Sequence, residues 1–141
     1  MSAVQTQLLN YRFKADSAEL RGMRDQVRKQ LAHLGCGDEY SNAVVLALDE
    51  ACSNIIRHAY ADEEGDVIVE ICRQESSLVF RVIDFAAPCD KASIKSRDLD
   101  DVRPGGLGVH LIATIMDEVM HEDAKTGNIL RMTKQWPEGD R

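Results

Sequence analysis

The sequence predicts an α+β fold: a two-layer α/β sandwich in which helices cover one face of a mixed, mainly antiparallel sheet. Three observations carry this. Helical periodicity fills most of the stretch between a short opening strand and residue 60. Two pairs of alternating segments follow, each pair joined by a turn. A polar stretch without periodicity, from Phe85 to Gly105, separates the first pair from a third helix. Strand, two helices, hairpin, long loop, helix, hairpin is an order that segregates helices to one face of a sheet.

Each element has its own signal. Leu8 to Phe13 reads as the first strand. A helix is predicted from about Ser17 to Leu34, with Asp16 as its cap and Glu19 three residues on. Leu20, Met23, Val27, Leu31 and Leu34 follow at helical spacing, and Gly35 and Gly37 end it. Asp38 is the expected cap of a second helix running to about Ala59. Val67, Val69 and Ile71 alternate, as do Leu78, Phe80 and Val82, which predicts two strands around a turn near Glu75-Ser76. A third helix fits Leu107 to Glu118. Val119 to His121 and Ile129 to Thr133 complete a second hairpin around Thr126-Gly127-Asn128.

Composition limits the function classes. The 141 residues suit one domain with a core that needs no disulfides, and the 44% hydrophobic and 29% charged content is that of a globular protein. A net charge of -7 argues against broad nucleic-acid binding, which needs a clustered basic surface. No apolar run reaches the ~20 residues of a membrane span, and the first residues lack the pattern of a signal peptide. The four cysteines are dispersed, without a C-x-x-C pair, so reduced thiols and a cytoplasmic location are expected. On the first helix, Arg21, Arg24 and Arg28 share one side, which suits either an acidic partner surface or a solvated basic face.

The second helix carries the chemistry. At ~100° per residue, Ala43, Ala47, Glu50, Asn54 and Arg57 fall on one side, and Val45, Leu48, Cys52, Ile55 and Ala59 on the other. The first side combines small residues with a carboxylate, a carboxamide and a guanidinium. It reads as space for a ligand or as the solvated face of an amphipathic helix. Leu78 to Asp84 is an apolar strand ending in an aspartate, which suits either an acceptor for an amino group or a turn aspartate capping local amides. Arg103-Pro104-Gly105-Gly106-Leu107-Gly108 supplies glycines at a helix start, where backbone amides favour anions. It matches neither a phosphate-loop nor a dinucleotide fingerprint.

Together these elements resemble the Bergerat-fold (GHKL) ATPases, and within them the small anti-sigma-factor serine kinases of bacterial sporulation and stress control. The E-x-x-x-N helix and H-A-Y match Glu50, Asn54 and His58-Ala59-Tyr60. The strand-end aspartate matches Asp84, and the G-G-x-G segment matches Gly105 to Gly108. M-D-E-V matches Met116 to Val119, and G-N-x-L-x-M-x-K matches Gly127 to Lys134. The resemblance covers nearly the whole chain. It implies one ATP-binding domain over 1–141, with a lid at about 85–106.

It also implies roles. Glu50 would be the general base, and Asn54 the ligand of a magnesium ion on the ATP phosphates. Arg57 would add a phosphate contact, and Asp84 would read adenine. Gly105, Gly106, Leu107 and Gly108 would close over the phosphates, and Thr133 would support Asp84 from the neighbouring strand. The implied partners are an anti-anti-sigma (STAS-type) protein and a sigma factor, and the implied assembly is a homodimer. Two positions depart from the family, and at one of them Cys89 stands where an aromatic is common. Ala86 stands where the family has a glycine, so its methyl group or a strained turn is expected to weaken nucleotide binding. A kinase and a non-catalytic module that sequesters a regulator are the two function classes this leaves.

Overall fold

A computed structural model describes residues 5–61, 63–86, 104–124 and 126–136. Five strands form one sheet in the order β1-β2-β3-β5-β4. The strands are β1 (Thr6–Lys14), β2 (Asp66–Gln74), β3 (Ser77–Asp84), β4 (Glu118–Glu122) and β5 (Asn128–Gln135). All four pairings are antiparallel, so the parallel component allowed by the sequence reading is absent among the described strands. The helices are α1 (Leu20–His33), α2 (Asp38–Asn54) and α3 (Pro104–Ile115).

Strand alternation decides what the helices cover. Tyr11 pairs with Val69 and Phe13 with Val67 across β1 and β2. Val69 pairs with Val82 and Ile71 with Phe80, and Phe80 pairs in turn with Met132. Successive side chains point to opposite faces, so these residues share one face with Asp84 and Asn128. They join Met23, Val27 and Leu31 of α1 and Val44, Ala47 and Leu48 of α2 in one core. Burying each large apolar side chain contributes ~1.5–3 kcal/mol relative to leaving it exposed. The opposite sheet face is charged. Arg81 there bonds Glu70 at 3.0 Å and Glu122 at 3.0 and 3.1 Å, which holds the Glu122 carboxyl below the usual range.

Several predicted boundaries move. The Asp16 carboxylate accepts from the Ala18 amide, but the turn it caps, Ser17–Glu19, is 3-10 helix and α1 proper starts at Leu20. Gly37, rather than Asp38, is the N-cap of α2; Asp38 and Glu39 occupy its first turn, where carboxylates complement the helix dipole. The second helix changes character at Asn54, and Ile55–Tyr60 form a π-helical turn ended by Ala61 at φ 46°. Such turns are rare and concentrate at functional sites. The third helix begins at Pro104, a residue suited to a first helical position, and so absorbs the glycines. It stops at Ile115 because the Asp117 amide bonds Thr133 O at 2.8 Å, which draws Glu118 into β4.

The structure bears on two readings of exposed surface. Ala47 is fully buried and Ala43 partly buried, so the alanine end of that side is not open space. Of the three arginines of α1, Arg24 pairs with Asp49 at 2.8 Å and Arg28 donates to Asn42. Both side chains tie α1 to α2 while staying at least partly exposed.

Candidate functional site

The end of α2 places Glu50 and Asn54 one turn apart, as the i,i+4 spacing requires. Arg57, one turn further into the π segment, reaches back to both. Its Nη2 donates to Asn54 Oδ1 at 2.7 Å and lies 3.5 Å from Glu50 Oε1. Arg57 is half exposed and Glu50 a quarter exposed, so the ion pair is of the weak, solvent-screened kind. The Asn54 carboxamide oxygen, which already faces the Arg57 cation, is a donor that fits magnesium, which prefers oxygen. Among the described residues no three His, Cys, Asp or Glu side chains gather as a metal cage. A metal held here would take few protein ligands, which is also magnesium's habit.

Asp84 ends β3 on the helix-covered face and is 3% exposed. Asn128 Nδ2 donates to its Oδ1 at 2.9 Å, and the Ala86 amide donates to the same oxygen at 3.0 Å. Burial pushes the carboxyl above its ordinary range, while the bonds from Asn128 and Ala86 and the nearby His121 act in the other direction. The antiparallel register sets Asn128 directly opposite Asp84.

That register corrects the role expected of Thr133. It pairs with Val79, five residues along β5 from Asn128, and by alternation belongs to the other face of the sheet. Asn128 is the residue sequence reasoning missed. It was read as part of the Thr126-Gly127-Asn128 turn and of the G-N-x-L-x-M-x-K segment, and its function depends on which strand β5 pairs with.

The strain expected at Ala86 is absent. Among the described non-glycine residues only Ala61 and Glu75 have positive φ, and Ala86 is packed into the core. Its amide serves Asp84 in a turn that needs no glycine. Of the expected lid, residues 87–103 lie outside the described set. Gly105, Gly106, Leu107 and Gly108 fall in the first turns of α3. The opening amides of a helix lack intrahelical acceptors and favour anions. Because α3 packs along α2, these amides and the Glu50–Asn54 turn belong to one helical layer.

The burial of Asp84 makes a stability prediction. A carboxyl whose folded pKa is raised keeps its proton to higher pH in the folded state than in the unfolded one. Stability therefore falls as pH rises through the folded value. Asparagine at this position can accept the same two N–H groups without a charge. Asp84→Asn is expected to be more stable than wild type near neutral pH by about 1 kcal/mol, a gap that closes toward about pH 4. Urea melts across that range check it, and a gap that stays constant with pH would refute it.

Comparison with known proteins gives the family and the fold. The model of the histidine kinase-like ATPase domain matches residues 13–134. The chain belongs to this family. The serine-protein kinase RsbW of Bacillus cereus strain G9842 is 31% identical, with 57% of each chain covered. The RsbW of Bacillus mycoides strain KBAB4 is 30% identical over the same shares. The chain thus spans little more than half the length of the curated relatives it matches. Among solved structures, that of the RsbU and RsbW domains of Rv1364c from Mycobacterium tuberculosis superposes with a TM-score of 0.65 at 18% identity. That match covers 90% of this chain and 31% of the other. The histidine kinase domain of the Erythrobacter litoralis EL346 blue-light activated histidine kinase gives 0.54 at 17% identity, over 84% and 60%. These likenesses show the fold. No described helix is long and apolar enough to cross a membrane.

Proposed function

We propose that this protein is an anti-sigma factor with ATP-dependent serine kinase activity. It phosphorylates an anti-anti-sigma protein of the STAS type and otherwise sequesters a sigma factor, so that phosphorylation switches its partner. In this reading it acts in the cytoplasm as a homodimer. The observation that carries the proposal is the pairing of two ends: Glu50 and Asn54 one turn apart on α2, and a buried Asp84 fixed through Oδ1 by Asn128 and Ala86. The name of the Bacillus relatives as serine-protein kinases supports the reaction class.

The roles follow from the chemistry of the residues. The Asp84 carboxylate accepts the adenine amino group, a bond worth ~1.5–3 kcal/mol that penalises bases lacking the donor. Asn54 Oδ1, on release from Arg57, would hold magnesium, which would supply charge neutralisation across the phosphates. Arg57 then turns its guanidinium to a phosphate oxygen. Glu50 takes the proton of the partner's serine hydroxyl as that oxygen bonds to the γ-phosphorus and ADP leaves.

A second reading is a non-catalytic module that sequesters a regulator. It draws on the 2.7 Å Arg57–Asn54 bond, which occupies the carboxamide oxygen that magnesium would need. Labelled ATP, magnesium and candidate anti-anti-sigma proteins separate the two. Label on a partner serine is the result expected. Nucleotide binding without transfer to any partner tried favours the sequestering module, and no nucleotide binding overturns the site assignment.

A further inference from the structure

The H-A-Y sequence after Asn54 has no part in the chemistry above, yet its tyrosine touches the adenine end of the site. Tyr60 is 6% exposed and closes the π-helical turn. Its hydroxyl accepts from the Phe85 amide at 2.8 Å and donates to the Asp66 carbonyl at 2.7 Å. The last pair of the β2–β3 ladder is Val67 with Asp84, so Asp66 and Phe85 stand next in register. At that step the hydroxyl is interposed between the two backbones. The strand ends are spread by one oxygen, at the residue that follows Asp84.

The tyrosine has little freedom to move. A Cβ on Gly65 would lie 2.1 Å from its ring, so ring and glycine are in close contact. On the far side of the segment, a Cβ on Gly127 would lie 2.0 Å from Asp84 O. Phe85 turns outward, with the Arg12 guanidinium 5.1 Å from its ring centroid, and Arg12 is ion-paired to Asp66 at 2.6 Å. Asp84 is thus set by Tyr60 through the next amide, by Gly127 through its carbonyl, and by Asn128 and Ala86 through its carboxylate. Tyr60 also ends the turn that begins after Asn54, so it joins the two ends of the site through a short covalent path.

We propose that Tyr60 is a positioning residue: its hydroxyl fixes where the Asp84 carboxylate stands and thereby sets the base preference of the site. This rests on the nucleotide reading above. The test measures dissociation constants of ATP and of inosine triphosphate, which carries a carbonyl oxygen in place of the amino group. Wild type, Tyr60→Phe and Gly65→Ala are compared, with thermal melts of each. Wild type prefers ATP. Tyr60→Phe is expected to weaken ATP about tenfold while changing inosine triphosphate about twofold at most, because only ATP uses the Asp84 bond. Gly65→Ala, which pushes on the ring from the other side, is expected to erode the same preference. Equal losses for both nucleotides assign Tyr60 a structural role and overturn the proposal. A preference that survives both substitutions overturns it alone, whereas a wild type without preference overturns the adenine reading and this inference with it.

Discussion

Glu50→Gln is expected to lower phosphotransfer to the partner serine by about 10²–10⁴-fold, the usual contribution of a positioned general base. The substitution keeps the volume and the hydrogen-bonding reach of the side chain, so it removes the proton acceptor and little else. Nucleotide affinity should stay close to wild type, because in the proposed reaction Glu50 serves the serine hydroxyl while Asp84 holds the base and Asn54 the metal. Stability should change by less than about 0.5 kcal/mol, since the 3.5 Å contact to Arg57 is long and its partner half exposed. Single-turnover transfer, a nucleotide titration and a urea melt check the three parts separately. Unchanged transfer would falsify the assignment of Glu50 as base while leaving ATP binding intact.

Gly127→Ala is expected to destabilise the protein by roughly 3 kcal/mol or more and to abolish nucleotide binding in what remains folded. Two causes add. The residue sits at φ 75°, where an L side chain is strained by ~1–2 kcal/mol. The added Cβ would also stand 2.0 Å from Asp84 O and 2.9 Å from Phe85 Cα, both backbone atoms that cannot rotate away. Gly35 supplies the control. It is also left-handed, at φ 86°, but among the described residues nothing crowds a Cβ there. Gly35→Ala should therefore cost only the strain, about 1–2 kcal/mol, and leave nucleotide affinity unchanged. Equal losses at the two glycines would mean that the contact with Asp84 carries no weight. Thermal or urea melts with a nucleotide titration give the comparison.

Much of the fold was legible because its signals are local. The apolar alternation of β2 and β3 and the helical spacing of Leu20, Met23, Val27 and Leu31 need only a few consecutive residues to be read. The i,i+4 pairing of Glu50 with Asn54 is legible for the same reason: helix geometry alone brings them together. Asp84 was readable as the polar end of an apolar strand. Where the reading slipped, a long-range contact had intervened. The third helix ends early because Asp117 bonds to β5, and Arg24 and Arg28 of α1 bond Asp49 and Asn42 of α2.

The sequence by itself determined the element types, the apolar faces and the residues able to do the chemistry, because these follow from side-chain period and type. Only the tertiary structure decided which residues support them. Asn128 supports Asp84 and Thr133 does not, because register is a property of two strands and a parity of one residue selects the face. Tyr60 reaches Phe85 because the turn after Asn54 is wound as a π helix and β2 and β3 end side by side. Neither fact has a local period to announce it.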